Sequence, residues 1–357
     1  MTQRKSTRRT EVVALPAKRL TVLLADVREL ILHAREGVAR AVDAGLTTLY
    51  WHVGQRIRQD ILKEKRAEYG EQIVSALSAQ LEQEYGRGFG TRNLFRMVRF
   101  AEVFPDPKIV SALRTQLGWT HFRAIIALDD PLKRDFYAEM CRLEGWSTRT
   151  LEKKISSMLY ERTALSRKPD KLIRQELKQL REEDKVTPDL IFRDPYILDF
   201  LGLKDTYGEK DVEAAILREM ESFILELGVG FCFVARQQRM QIDYRDYYLD
   251  LLFYHRKLRR LIAIDLKIGQ FEAADKGQME LYLGWLKRHA CEPDEAAPLG
   301  MILCAGKSTE HIALLELQRS GIHVASYWTE LLPKKELERK LHEAVRRARM
   351  RLAAAKD

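Results

Sequence analysis

Two short runs in the second half of the chain constrain its fold more than anything else. Tyr248-Leu249-Asp250-Leu251-Leu252-Phe253-Tyr254 is apolar on both faces apart from Asp250. Leu261-Ile262-Ala263-Ile264-Asp265-Leu266-Lys267-Ile268 is apolar apart from Asp265 and Lys267. Strands of that texture are covered on both sides, and the link His255-Arg256-Lys257-Leu258-Arg259-Arg260 is of hairpin length. The chain therefore builds a sheet whose interior strands carry carboxylates. An ionised carboxylate in such a place costs several kcal/mol unless a cation or hydrogen-bond donors compensate it.

Side chains alternate along a strand, so Asp265 and Lys267 project from one face. If the two strands are neighbours, Asp250 lies beside Asp265, and adjacent acids repel unless a metal sits between them. A hard divalent cation suits such a pair. Magnesium takes one or two carboxylates plus substrate phosphate oxygens, and manganese can substitute. Such an ion polarises a phosphoryl oxygen and lowers the pKa of a bound water. Lys267 is expected to orient or help deprotonate that water and to offset charge on the phosphate, so the expected product is a cut phosphodiester. The acid-x-Lys pattern carries little by itself. Glu152-Lys153-Lys154, Glu176-Leu177-Lys178 and Glu183-Asp184-Lys185 match it within charged helical segments. A buried Asp–Lys ion pair of purely structural purpose also fits residues 265–267.

Around these strands the pattern predicts a helix over 209–227, a strand over 231–235, strands over 247–255 and 261–268, and a helix over 273–289. A strand over 299–304, a helix near 309–318 and a strand over 322–327 follow. The order α-β-β-β-α-β-α-β describes a mixed sheet flanked by helices, spanning residues 189–333. A basic helix with Leu337, Leu341 and Val345 on one side occupies 334–357. Residues 19–165 read as all-helical, with an amphipathic pattern running from Val22 to Ile57 and Gly54, Gly70, Gly86 and Gly118 as punctuation. Residues 166–188 read as a charged helical connector and residues 1–18 as a flexible basic tail. No apolar segment follows that tail, so a secretory signal is not expected; a transit peptide is the weaker alternative, since acidic residues begin at Glu11. No run approaches the roughly 20 apolar residues of a membrane span. The four cysteines, Cys141, Cys232, Cys291 and Cys304, lack CxxC spacing. Cys232 and Cys304, inside apolar runs, are expected in the core, and a reducing cytoplasmic setting without zinc or disulfides follows. The eight histidines offer no metal-binding spacing, and His255, an odd number of residues from Asp250, is expected to face away from it.

Several stretches carry a resemblance: Glu209-Lys210-Asp211-Val212-Glu213, Leu225-Glu226-Leu227-Gly228-Val229-Gly230-Phe231, the Asp250 strand and Gly277-Gln278-Met279-Glu280-Leu281-Tyr282. Through them, residues 209–333 resemble the C-terminal nuclease domain of the bacterial YhcG-like family, in the PD-(D/E)XK superfamily. Leu49-Tyr50-Trp51 with Gly54, and Tyr85-Gly86-Arg87-Gly88-Phe89, resemble the helical domain that accompanies it. The resemblance implies an all-helical N-terminal domain followed by a restriction-endonuclease-like core, and a magnesium-dependent endonuclease activity. It implies that Glu213, rather than its neighbours Glu209, Glu219 and Glu221, joins Asp250 and Asp265 as an outer or direct metal ligand. It also implies that Gln278 stands near the scissile phosphate, with Tyr282 on the same helix face. Asp265 stands where the family carries Glu, a shorter side chain that shifts metal geometry.

The net charge of +9 lies wholly in the first half: residues 1–170 hold 30 Lys+Arg against 21 Asp+Glu, and residues 171–357 hold 31 of each. A polyanion is attracted there. After the glycine turn Gly86-Arg87-Gly88-Phe89-Gly90, Thr91 reads as the N-cap of a helix over 92–103 that presents Arg92, Arg96 and Arg99 on one side. That suggests a helix-turn-helix-like DNA reader, with a merely solvated basic helix as the alternative. Arg87, in the glycine turn, joins that set. Arg236, expected in a turn after the first strand, is a further candidate phosphate contact. No strand precedes the glycines and no Gly-Lys-Ser/Thr follows, so no nucleotide cofactor is expected. Three readings compete. The first is a DNA endonuclease whose helical half binds substrate. The second is a non-cleaving DNA-binding or partner-recruiting protein on a nuclease fold. The third is an assembly module that pairs through its C-terminal helix. A homodimer is compatible with all three, and the complete set Asp250, Asp265 and Lys267 argues against a decayed site.

Overall fold

A computed structural model describes residues 17–63, 67–203, 208–308, 312, 314–329 and 332–354. Residues 1–16 of the expected tail, and 309–311 and 313 of the expected helix 309–318, lie outside the described residues. Two compact units emerge, Met1–Ala127 and Leu128–Asp357.

The first unit is helical: α1 (Ala17–Lys63), α2 (Ala67–Tyr85), α3 (Thr91–Val103), α4 (Pro107–Leu113) and α5 (Trp119–Ile125). Its core joins Ile57, Val74, Leu94 and Met97, flanked by Tyr50, Phe89 and Trp119. The Trp51 indole N–H donates to the Phe104 carbonyl at 2.8 Å. Gly54 does not punctuate anything. It lies inside the 47-residue α1 where α3 crosses, and a Cβ there would stand 1.8 Å from the Met97 carbonyl oxygen. Glycine is needed for the approach of the two backbones. Thr91 is the first helical residue of α3, so the cap position falls to Gly90, which brings no side chain. Upstream in α1, Leu30, Ile31, Leu32, Val38 and Val42 are exposed, so that part of the amphipathic pattern is not used for burial within the unit.

The second compact unit takes in helices ahead of residue 165. It includes α6 (Pro131–Glu144), α7 (Thr148–Ser156), α8 (Leu159–Arg162), α9 (Asp170–Glu183) and α10 (Pro188–Ile191). The expected connector is α9, and it is not free. Ile173, Leu177 and Leu180, at i, i+4 and i+7, are buried, while Arg181 pairs with Glu139 of α6 at 2.6 Å. Charge on its outer face disguised an ordinary packed helix.

The sheet has six strands: β1 (Tyr196–Ile197), β2 (Phe231–Ile242), β3 (Arg245–His255), β4 (Arg260–Gln270), β5 (Leu299–Gly306) and β6 (Ile322–Trp328). Their order is β1-β6-β5-β4-β3-β2. Strands β2, β3 and β4 pair antiparallel, and β4, β5, β6 and β1 pair parallel, which gives the expected mixed sheet. One face carries α11 (Glu209–Arg218) and α12 (Met220–Leu227), two helices broken at Glu219 where one was expected; Val212, Ile216 and Phe223 pack there on Ile262, Ile264 and Met301. The other face carries α13 (Ala273–His289), whose Met279, Tyr282 and Leu286 cover Leu252, Ala263 and Ile302. Strand β1 is too short to leave a periodic signal. Strand β2 extends to Ile242, so Arg236 sits in a strand and not in a turn. Because β2 is the sheet's edge, Cys232, Phe233 and Val234 are exposed, which corrects the core placement of Cys232; Cys304, in the interior β5, is buried as expected. The last helix, α14 (Lys334–Ala354), buries Leu337 and Leu341 against Met158 and Trp328. Leu337 and Leu341 of its apolar side are therefore engaged within the chain. No described helix is long and apolar enough to cross a membrane.

Replacing Gly54 by alanine should lower the melting temperature of the helical unit, because the intruding methyl costs about 1–3 kcal/mol of overpacking. Gly45→Ala in the same helix meets nothing within 4 Å and should stabilise by roughly 0.5–1 kcal/mol. Thermal melts of the two variants decide it: a Gly54→Ala protein as stable as the parent contradicts the close crossing.

Candidate active site

The register Leu251↔Ile264 carried one step further sets Asp250 opposite Asp265. On the other side, Arg236↔Leu251 and Gln238↔Leu249 bracket Gln237 opposite Asp250. A row of three polar side chains thus crosses β2, β3 and β4. Ala263, two residues along from Asp265, packs under α13, so Asp265 lies on the α13 side of the sheet. Asp250 accepts the Leu266 N–H at 2.8 Å on one oxygen and the Gln237 amide at 3.1 Å on the other. The same Gln237 nitrogen reaches Glu213 of α11 at 2.9 Å. Glu209, Glu219 and Glu221 are exposed, so Glu213 is the helical acid that meets the row.

Asp265 is buried, and the Lys267 ammonium stands 3.0 Å from its Oδ2. That contact is an ion pair without an aligned hydrogen bond, and Oδ2 has no other partner. Lys267 also donates to Gln278 Oε1 at 3.5 Å. The Gln278 amide donates to the Tyr282 hydroxyl at 2.5 Å, and that hydroxyl donates to the Tyr248 carbonyl at 3.3 Å. The fold therefore gathers Asp250, Asp265, Lys267, Glu213 and Gln278. His255 lies buried beside Phe231, off this row.

Comparison with known proteins agrees with this geometry. A family model for the YhcG PDDEXK nuclease domain matches residues 189–342, and one for the DUF1016 N-terminal domain matches residues 26–162. The chain is 35% identical over 336 residues to a protein of Escherichia coli (strain K12) provisionally named the nuclease YhcG, covering 85% of this chain and 88% of that protein. The chain belongs to the YhcG family. Its sheet domain is a PD-(D/E)XK nuclease domain. Among solved structures, a repair endonuclease from Pyrococcus abyssi matches 36% of this chain and 50% of its own, at 18% identity and TM-score 0.25. The apo form of EndoMS matches 36% and 49%, at 15% identity and TM-score 0.24. This YhcG-family chain thus spans about half the length of each of these two structures.

Electrostatics single out the paired acids of this YhcG-family site. Burial pushes the Asp265 carboxyl up to about 6; Lys267 opposes that and Asp250 adds to it. Burial also raises Asp250, against the Leu266 N–H and the Gln237 amide, with Glu213 adding repulsion. For Lys267, burial pulls downward but Asp265 outweighs it, leaving the ammonium above its ordinary range. Lys267 is therefore a cation at neutral pH. In this form it can donate to a phosphate oxygen. The residues fit a hard divalent ion: the donors are carboxylate oxygens, Asp265 Oδ2 lacks an aligned donor, and burial raises both acids. Among the described residues no third His, Cys, Asp or Glu completes a ligand cluster, and Gln237 stands between Glu213 and Asp250.

Gln237 went unrecognised in the sequence, where its stretch read as a turn. Only the register places it opposite Asp250. In the helical unit, Arg92 is exposed, and Arg87 is exposed in the short turn Arg87–Phe89. Burial, then Arg123 and Arg92, lower Arg96. Arg99 is engaged with Glu102 at 3.0 Å. The basic group is thus Arg92, Arg96 and Arg123, the last contributed by α5 and not foreseen.

Asp265→Asn should melt higher than the parent at pH 7.5 in chelator, by up to about 3 kcal/mol. The sign follows from the raised folded-state value: the parent loses stability as pH climbs from about 4, the unfolded value, through about 6. The advantage of the asparagine should therefore shrink toward pH 4. Melting curves across that range test it, and an asparagine variant no more stable at pH 7.5 contradicts a strained carboxylate.

Proposed function

We propose that this chain is a divalent-metal-dependent endonuclease that hydrolyses DNA phosphodiesters, using magnesium with manganese as a substitute, while its helical unit binds substrate. The observation that carries the proposal is the pair of mutually repelling acids Asp250 and Asp265, with the Lys267 ammonium 3.0 Å from an Asp265 oxygen that has no aligned hydrogen bond. Asp250 and Asp265 would hold the ion, with Glu213, linked to Asp250 through Gln237, in an outer position. Bound there, it supplies Lewis acidity toward a phosphoryl oxygen and acidifies a water. Lys267 donates to the phosphate and balances its growing negative charge. Gln278 fixes the direction of Lys267, and Tyr282 fixes Gln278.

Support for DNA comes from the helical unit. Helices α2 and α3 are joined through a short turn in the manner of a helix-turn-helix, and Arg96, already disfavoured by burial, is repelled by Arg123 and Arg92 where a polyanion would relieve it. Arg87 and, in the other unit, Arg236 are exposed additional phosphate contacts. Two copies would serve cleavage of both strands of a duplex. Four unpaired cysteines suit a reducing compartment such as the cytoplasm.

Purified protein should cut DNA with magnesium or manganese and not with chelator. Asp250→Ala and Lys267→Ala should each lower the rate by at least about 100-fold while leaving DNA binding largely intact. Cleavage surviving in Asp250→Ala would assign the activity elsewhere, and binding by the parent without cleavage would favour a non-cutting DNA-binding protein. Arg92→Ala combined with Arg96→Ala should weaken binding and reduce the slope of log affinity against log salt by about 2. An unchanged slope would remove those arginines from the interface.

A further inference from the structure

Strand β4 pairs with β3 only over Leu251–His255, so farther out β2 and β3 pair with each other alone, as a two-stranded ribbon. Met240 and Leu249, both fully buried in the α13 cluster, anchor the ribbon, and the Tyr282 hydroxyl holds the Tyr248 carbonyl. The tip turns through Asp243 and Tyr244, with φ of 47° and 63°. Such a turn suits asparagine or aspartate followed by glycine. Here the second position holds a tyrosine that is 99% exposed. A bulky side chain in the left-handed region and a ring wholly in water are both unfavourable, and no packing at the tip offsets them.

The rest of the ribbon is polar. Arg236 and Arg245, with Gln241, are exposed along it, and Arg239 is exposed and pairs with Asp246 at 3.0 Å. Arginine and glutamine are side chains that contact phosphates and base edges. A two-stranded ribbon enters the major groove of B-form DNA, whereas the deep, narrow groove of A-form RNA excludes it. The root of the ribbon is the site itself, Gln237 and Asp250. Tyr244 is six residues from Asp250, which at about 3.3 Å per residue sets its ring about 20 Å from the cleavage point, or about six nucleotide steps.

We propose that the β2–β3 ribbon is a DNA-engaging arm whose Tyr244 ring stacks on an unpaired base about six nucleotides from the scissile phosphate. The preferred substrate is then DNA with a helical discontinuity, such as a flap, gap or branch, because an intact duplex leaves no base face uncovered inside the stack. This rests on the reading of Asp250 and Asp265 as a DNA-cutting site.

The test uses the full chain carrying Asp250→Ala, so that binding is read without cleavage. Tyr244→Gly removes the ring but suits the backbone, so this variant should melt at or above the parent temperature; Tyr244→Phe keeps the ring. With gapped or flapped DNA bearing 2-aminopurine at the unpaired position, Tyr and Phe should quench its fluorescence and Gly should not. Tyr244→Gly should lose about 5- to 100-fold in affinity for that DNA and little for uninterrupted duplex. Equal affinity on both DNAs, an equal loss on both, a lowered melting temperature or quenching confined to RNA would each overturn the proposal. If the unsubstituted chain cut nothing with magnesium while Tyr244-dependent binding persisted, the cleavage reading would fail and the arm would stand.

Discussion

The carboxylate of Asp265 is the interaction on which the rest of the structure turns. It sits in β4, an interior strand with apolar helices on both faces, where an ionised acid is poorly tolerated. The surroundings answer that cost incompletely. Lys267 supplies charge without an aligned hydrogen bond, while Asp250 across the strand pair adds repulsion. The same two-sided cover that makes the carboxylate costly also lowers the local dielectric. Any cation or phosphate arriving there interacts more strongly than it would at the surface. A site that is slightly unfavourable when empty of cation is a common compromise between stability and function.

Holding that row in place requires a rigid frame, and much of the frame is ionic. Arg162, fully buried, pairs with Glu226 at 2.5 Å, and Glu226 also accepts the backbone N–H of Ile197 in β1 at 3.0 Å. Arg193 approaches the same carboxylate at 3.4 Å. Nearby, Asp194 is shared by Lys307, Arg167 and the Ser326 N–H; burial opposes its ionisation, but the two cations outweigh burial and hold it well below the usual carboxylate range. These groups tie α8 and the segment after it to β1, β5 and β6. Buried charges with several partners each add little net stability, but they penalise any arrangement that leaves one unpaired. They hold α8 and the following segment in the same compact unit as the sheet.

Local texture made much of the molecule legible in advance. Apolar strands interrupted by single acids marked Asp250, Asp265 and Lys267, because alternation and burial are properties of a few consecutive residues. Helical periodicity set α13 at residues 273–289. The mixed sheet followed from the order of elements, and the family resemblance singled out Glu213 and Gln278, both of which the fold brings to the row.

Tertiary structure alone decided what depends on partners far apart in sequence. Gln237 meets Asp250 only through strand register, and a one-residue slip would turn it to the opposite face. Cys232 is exposed because β2 is an edge strand, a fact of topology and not of composition. Gly54 reads as a break until α3 is seen to cross it, and α9 reads as a linker until α6 covers its apolar side. The sequence by itself determined which residues could neither be comfortably buried nor dispensed with. Only the folded chain determined which of them face one another, since pairing across strands and helices is set by global packing and leaves no local trace.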